Sequence, residues 1–93
     1  MDSPPVRTED CPWPHLIIYG ARWCSDTIRT ATFLNRHDIP YTYIDVDNDQ
    51  KAAEQVKAWN HGNLSTPTLD IEGRIVTEPP DAELAQMLGI EDA

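Results

Sequence analysis

Only two cysteines occur in the sequence, Cys11 and Cys24, too few for the disulfide framework that holds small secreted domains together. Basic residues are scarce as well. Seven Lys and Arg stand against sixteen Asp and Glu, a formal charge of -9, so the long-range field repels phosphate backbones and anionic lipid headgroups. Neither nucleic acid nor a membrane is an expected partner. The longest apolar run is Leu16-Ile17-Ile18-Tyr19, far short of a membrane span, and no positive region followed by an apolar stretch marks a secretory signal. The expectation is a soluble, cytoplasmic protein whose thiols stay reduced.

What the chain does contain is enough for one compact domain. Its 93 residues are 40% hydrophobic and 25% charged, a globular composition with room for a single small core. Proline is crowded near the start, at Pro4, Pro5, Pro12 and Pro14, with alternating charges and no apolar period. Such a segment neither propagates a helix nor pairs as a central strand, so residues 1–14 read as a flexible Pro-rich tail and residues 15–90 as the folded domain.

Within that domain, His15 to Tyr19 closed by Gly20 has the pattern of a buried strand, followed by a polar loop through Ser25. A helix is expected from Ser25 or Asp26 to about Arg36, with Ile28, Ala31, Phe33 and Leu34 as its apolar residues and Ile39-Pro40 as its break. Tyr41 to Val46 is aromatic and β-branched, hence a second strand. Asp47, Asn48 and Asp49 supply caps for a helix whose face is Ala52, Val56 and Trp59, ended by Asn60-His61-Gly62-Asn63. Thr68–Ile71 and Arg74–Thr77 flank Glu72-Gly73 and read as an antiparallel hairpin. A last helix opens at Pro79-Pro80-Asp81, places Leu84, Met87 and Leu88 on one side and stops at Gly89. The order is βαβαββα.

Cys24 falls where the first strand gives way to the first helix, so unpaired N–H groups and the helix dipole should favour its thiolate. Arg22 adds positive charge on one side, and Asp26 opposes it on the other. The bland alternative, a free cysteine acting as a small buried hydrophobe, fits such an exposed junction poorly. Cys11 has no helix terminus nearby and reads as an unimportant tail thiol, although a tail can fold back to pair it with Cys24. Cys11 and His15 have a zinc-like spacing, but no second ligand pair completes a site, and no metal is expected. Trp23 beside the cysteine is either a partly exposed contact residue or a loop anchor. Thr66-Pro67 precedes the hairpin, and X-Pro bonds are those that take the cis form at modest energy. With a Trp-Cys junction and this element order, Pro67 is expected to be cis and to face Cys24.

Ile17-Ile18-Tyr19-Gly20-Ala21-Arg22-Trp23-Cys24-Ser25-Asp26-Thr27, Ile39-Pro40-Tyr41, Ile44-Asp45-Val46-Asp47, Asn60 to Thr68 and, more weakly, Thr77 to Leu84 together resemble the glutaredoxin family, and within it the mycoredoxin-like branch. The resemblance spans about residues 15–90. It implies an α/β thioredoxin fold, with a four-stranded mixed sheet and three helices. It also implies that Cys24 is the nucleophile, that Thr66 and Pro67 bind the backbone of a low-molecular-weight thiol, and that the start of the last helix, near Pro80 and Asp81, faces its carboxylate. Arg22 and Trp23 complete the expected thiol-binding set.

Three departures from the family pattern bear on chemistry. Thr27 stands where the second cysteine of a Cys-x-x-Cys motif is found, which leaves a monothiol mechanism. Leu64 stands where mycoredoxin-like relatives often have arginine. Pro79-Pro80 replaces a glycine pair, and Pro80 has no N–H to offer a carboxylate. The leading expectation is a monomeric thiol–disulfide oxidoreductase of cell redox homeostasis, using glutathione or mycothiol as co-substrate on mixed-disulfide proteins. The alternative is a redox-inactive thioredoxin-fold binding module. Third comes an iron–sulfur cluster carrier, ranked last because the glycine-rich monothiol motif of those carriers is absent from Cys24-Ser25-Asp26-Thr27.

Overall fold

The structure, a computed structural model, describes residues 13–90. Cys11 and most of the segment read as a tail lie outside the described residues.

The elements follow in the order β1 (Leu16–Gly20), α1 (Ser25–Arg36), β2 (Thr42–Asp45), α2 (Gln50–Trp59), β3 (Thr68–Ile71), β4 (Arg74–Thr77) and α3 (Asp81–Leu88). The strands form one mixed sheet in the order β2-β1-β3-β4. β1 is the hinge of this arrangement. It pairs parallel with β2, Ile18 opposite Tyr43, and antiparallel with β3, Ile18 opposite Leu69. The β3–β4 hairpin turns through Glu72 (φ 50°) and Gly73 (φ 93°). Two positive φ values at the central positions match the right-handed twist of the flanking strands.

Alternation along β1 sends its residues to two helical layers. Leu16 and Ile18 pack with Phe33 and Leu34 of α1, Leu69 and Ile71 of β3, and Leu84, Ala85 and Leu88 of α3. Tyr19 turns to the other face, where Val46, Ala52 and Val56 form a second cluster with Ile44 and Trp59. The Tyr19 and Trp59 rings meet edge to face at 5.3 Å. The result is a three-layer α/β/α domain with α1 and α3 on one face and α2 on the other. Trp13, immediately before the strand, packs half-buried against the larger cluster.

Helix ends follow their cap chemistry. Asp49, of the three acidic or amide candidates, caps α2 by accepting the Ala52 N–H at 3.0 Å. Gly89 ends α3 with φ 73°, and Ile90 N–H reaches back to the Ala85 carbonyl at 2.8 Å. One expectation about α1 needs correction. Its buried stripe is Thr27, Thr30, Phe33 and Leu34, and Ile28 is 53% exposed. Spacings of three and four residues from Phe33 and Leu34 lead back to Thr30 and Thr27, while Ile28 lies off that face. Two threonines thus belong to the buried stripe and Ile28 does not.

Gly20 ends β1 against this stripe. A Cβ built there would sit 2.5 Å from Thr27 Cγ2 and 3.2 Å from the Tyr43 ring. Gly20→Ala should therefore destabilise the fold by about 1–3 kcal/mol, as overpacking does, measured by urea denaturation. An alanine variant as stable as the parent would show that Thr27 moves aside freely.

Candidate functional site

The chain leaves β1 at Gly20 and turns through Ala21, Arg22 and Trp23 to Cys24, whose N–H donates to the Ala21 carbonyl at 3.1 Å. Cys24 is the N-cap of α1, extended at φ -85° and ψ 119°, and its carbonyl accepts the Ile28 N–H. The helix thus begins at Ser25, with Cys24 as its cap. A cysteine at the N-cap places its sulfur among the first N–H groups of the helix, which have no partner of their own.

The loop before β3 supplies the opposite wall. The Thr66–Pro67 peptide is cis, both residues are buried, and the Thr66 carbonyl oxygen accepts from the Cys24 thiol at 3.5 Å. This loop is tied down by Asn60 at the end of α2. Its amide donates to the Val56 carbonyl at 2.9 Å and to Thr68 Oγ1 at 3.2 Å, and Thr68 Oγ1 donates to the Ser65 carbonyl at 2.8 Å. Thr77 on β4 closes the network by donating to Asn60 Oδ1 at 2.6 Å.

Two opposing influences set the thiol's acidity. Burial pushes it up. The Thr66 hydroxyl, the N–H and hydroxyl of Thr27 and the N–H of Asp26 pull it down and together prevail, so Cys24 titrates below its ordinary range. The half-buried sulfur therefore holds more thiolate at neutral pH than a free cysteine does, and that fraction falls as the pH drops through the lowered midpoint.

The remaining sequence-predicted residues are each held by a partner of their own. Arg22 is turned to Asp45 of β2, Nε to Oδ2 3.6 Å, and its side chain is 83% exposed. Trp23 is 72% exposed, yet its indole N–H donates to Asp47 Oδ2 at 2.6 Å, so it is both anchored and presented. Asp81, the first residue of α3, accepts from Arg29 of α1 at 2.7 Å, and Arg29 also stands 3.6 Å from Asp26. Thus α3 is linked to the start of α1 through Arg29, which the sequence reading passed over.

A family model of the glutaredoxins matches residues 16–76. The chain belongs to the glutaredoxin family. This glutaredoxin is 34% identical to a glutaredoxin-like protein of Mycobacterium tuberculosis over 74 residues, 78% of this chain and 88% of that one. It is 35% identical to mycoredoxin 1 of Corynebacterium glutamicum over 71 residues, 75% and 87% of the two chains, and is thus a mycoredoxin-like member. Among solved structures, a glutaredoxin from Methanosarcina mazei superposes with a TM-score of 0.69 at 24% identity, covering 83% of this chain and 80% of that one. One from Archaeoglobus fulgidus gives 0.67 at 23%, covering 78% and 84%. These two carry the thioredoxin fold itself. Family and fold together support a thiol oxidoreductase-type function with a low-molecular-weight thiol, such as glutathione or mycothiol, as co-substrate.

Four features of the glutaredoxin site went unread in the sequence. Gly20 admits Thr27 and Tyr43 at the end of β1, Arg29 links Asp26 to Asp81, Asp47 holds Trp23, and Asn60 holds the Thr66 loop. Only the first two left a local signal: a glycine closing a strand, and Asp26 with Arg29 at helical spacing. Exposed Trp23, Ile28 and Leu64, at 72%, 53% and 40%, are the large exposed hydrophobics among the described residues. One precedes Cys24, one lies a helical turn after it, and one precedes the Thr66 loop. Among the described residues, no helix is long and apolar enough to cross a membrane, and no group of three His, Cys, Asp or Glu is placed to hold a metal ion.

Proposed function

We propose that this protein is a monothiol glutaredoxin that reduces mixed disulfides between proteins and a low-molecular-weight thiol. The observation that carries the reading is Cys24 at the N-cap of α1, half-buried against Thr66 and cis Pro67 and titrating below its ordinary range. The Cys24 thiolate attacks the small-molecule sulfur of the mixed disulfide. A bond forms between these two sulfurs, the bond to the protein sulfur breaks, and the protein leaves as a thiolate that takes a proton from water. A second small thiolate then attacks the small-molecule sulfur held on Cys24. The symmetrical disulfide departs and Cys24 regains its thiolate. The protein substrate is reduced by two electrons, which the small thiol supplies.

The surroundings support a small thiol without a free ammonium group, which favours mycothiol, an N-acylated cysteine conjugate, over glutathione. Asp81 already carries the Arg29 guanidinium at 2.7 Å, Pro80 presents no N–H at the α3 N-cap, and Leu64 gives no cation for a carboxylate. Arg22, Trp23, Thr66, Pro67 and Asp81 remain the proposed thiol-contacting residues. The test is turnover of a protein mixed disulfide made with each thiol and resolved with the same thiol. Mycothiol should give a kcat/KM about tenfold or more above glutathione. Equal rates would overturn the thiol preference, and no transfer with either would leave the fold as a binding surface, with Trp23, Thr66 and Pro67 the contacts to examine first.

A further inference from the structure

We propose that Trp23 and Ile28 form a docking patch for the protein half of the mixed disulfide, and that this patch favours a substrate cysteine flanked by an apolar residue and a basic one. The inference rests on Cys24 being the nucleophile, and it names the class of protein substrate for the proposed reaction.

Of the large exposed hydrophobics among the described residues, Trp23, Ile28 and Leu64, two bracket Cys24. Single apolar side chains at a surface are ordinary, so it is the placement of the pair that carries the argument. Ile28 lies one turn beyond Cys24 on the same face of α1, and its N–H donates to the Cys24 carbonyl at 3.1 Å. Helical side chains tilt toward the N-terminal end, so Ile28 leans back over the turn that Cys24 opens. The stripe that packs on the sheet is Thr27, Thr30, Phe33 and Leu34, and Arg29 is the residue that reaches α3, at Asp81. Ile28 serves neither contact and stays 53% exposed.

Trp23, immediately before the cysteine, is held in place. Its indole N–H donates to Asp47 Oδ2 at 2.6 Å, the Asp47 N–H donates to Asp45 Oδ1 at 3.0 Å, and the Asn48 amide donates to Asp45 Oδ2 at 2.8 Å. With its one polar group already bonded, the indole presents apolar surface to a partner, and the residue is 72% exposed. A side chain fixed before contact loses little freedom on binding, which is what suits an aromatic residue to anchor a partner.

Charge around the pair sets the second requirement. Asp26, Asp45, Asp47 and Asp81 supply four carboxylates, and the guanidiniums among them, Arg22 and Arg29, already face Asp45 and the pair Asp26 and Asp81. The Asp26 side chain is 51% exposed, and the whole chain carries -9. A lysine or arginine beside the substrate cysteine would meet Asp26 or lie over the open Trp23 ring, whereas an acidic neighbour would be repelled. Ile28 lies outside the set of proposed thiol contacts, so its replacement separates docking of the protein from docking of the small thiol.

The test uses the full chain with Cys11→Ser and short peptides whose single cysteine is joined by a disulfide to 5-thio-2-nitrobenzoate. The Cys24 thiolate attacks the peptide sulfur, a bond forms between these two sulfurs, the bond to the aryl sulfur breaks, and the coloured aryl thiolate leaves with both electrons. No other reductant takes part. The peptides carry leucine and lysine, leucine and glutamate, or two serines around the cysteine. Each rate is divided by that of the same peptide with N-acetylcysteine, which removes intrinsic differences in reactivity, and is then compared with the serine peptide in the same variant, which cancels changes in thiolate fraction.

The leucine and lysine peptide should react about tenfold faster than the serine peptide. Glutamate in place of lysine should cost several-fold at low salt, and the difference should shrink at high ionic strength. Ile28→Gln and Trp23→Ala should each cut the tenfold ratio to about threefold or less, and Ile28→Leu should keep it. One normalised rate for all three peptides overturns the proposal, as does a ratio unchanged in either Ile28→Gln or Trp23→Ala, or a lysine peptide no faster than its glutamate counterpart. Slower release of a small thiol from Cys24 in Ile28→Gln, with the peptide ratio unchanged, would assign the patch to the small thiol and overturn it too. Circular dichroism checks each fold, and Ile28→Ser carries the test should Ile28→Gln unfold. A single exchange is read whether or not the protein turns over, so failure of the oxidoreductase reading and failure of the docking patch give different results.

Discussion

Cys24→Ser is expected to abolish mixed-disulfide reduction, while Cys11→Ser leaves the rate within about twofold. Serine keeps the size and the N-cap position and would cap α1 as well as cysteine does, so the loss is one of chemistry rather than of fold. A hydroxyl at this site remains protonated across the working pH range and forms no bond to sulfur. The same asymmetry should appear in alkylation. Hydrogen bonds from Thr66, Thr27 and Asp26 favour the Cys24 thiolate, so Cys24 should be modified first and faster than an unactivated thiol at neutral pH, with the difference shrinking in alkaline solution as every thiol ionises. Mass spectrometry of singly modified protein reads the site directly. Modification of Cys11 ahead of Cys24, or full activity in the serine variant, would remove Cys24 from the reaction.

Thr27→Cys should convert the monothiol site into a dithiol one. Thr27 is the third residue of α1, one turn from the N-cap Cys24, and an intramolecular thiolate there would compete with an external thiol at a very high effective concentration. The variant should form an internal disulfide under mild oxidation, seen as a loss of two hydrogens in mass and no free thiol at either position. Its Cys24 mixed disulfide should fail to accumulate, because the introduced thiol would expel the small thiol as soon as it is bound. Retention of both thiols after oxidation would mean that the two side chains cannot approach to bonding distance.

Much of this architecture was readable from local pattern. The strand of Leu16 to Tyr19, the caps at Asp49 and Gly89 and the Glu72-Gly73 turn announce themselves within a few residues, because period, caps and turn chemistry are short-range physics. The Trp-Cys junction and the element order set Pro67 opposite Cys24, and the family resemblance added a thiol-binding role for Thr66 and Pro67. What stayed hidden is long-range or depends on which face a helix turns inward. Arg29 meets Asp81 across 52 residues of sequence, and nothing near either residue signals it. Trp23 and Asp47 pair across 24. Ile28 is apolar by type, yet the stripe that reaches the sheet belongs to two threonines. Thr27 read as a missing cysteine, and its packing on Gly20 with its hydroxyl accepting from the Ala21 N–H shows only in the fold.

The central place of β1 ties chemistry to folding. Its partners are the strand after α1 and the strand after α2, so the sheet's middle closes only when residues far apart in sequence have found each other. Cys24 and Thr66 are carried on the two ends of that closure, one just after β1 and the other just before β3. No early fragment made of β1, α1 and β2 would contain the wall that Thr66 supplies. Thiol reactivity in this protein is therefore complete only when that long-range contact is made, and a chain holding β1, α1 and β2 alone would have the Asp26 and Thr27 donors of the helix start without the wall that Thr66 supplies.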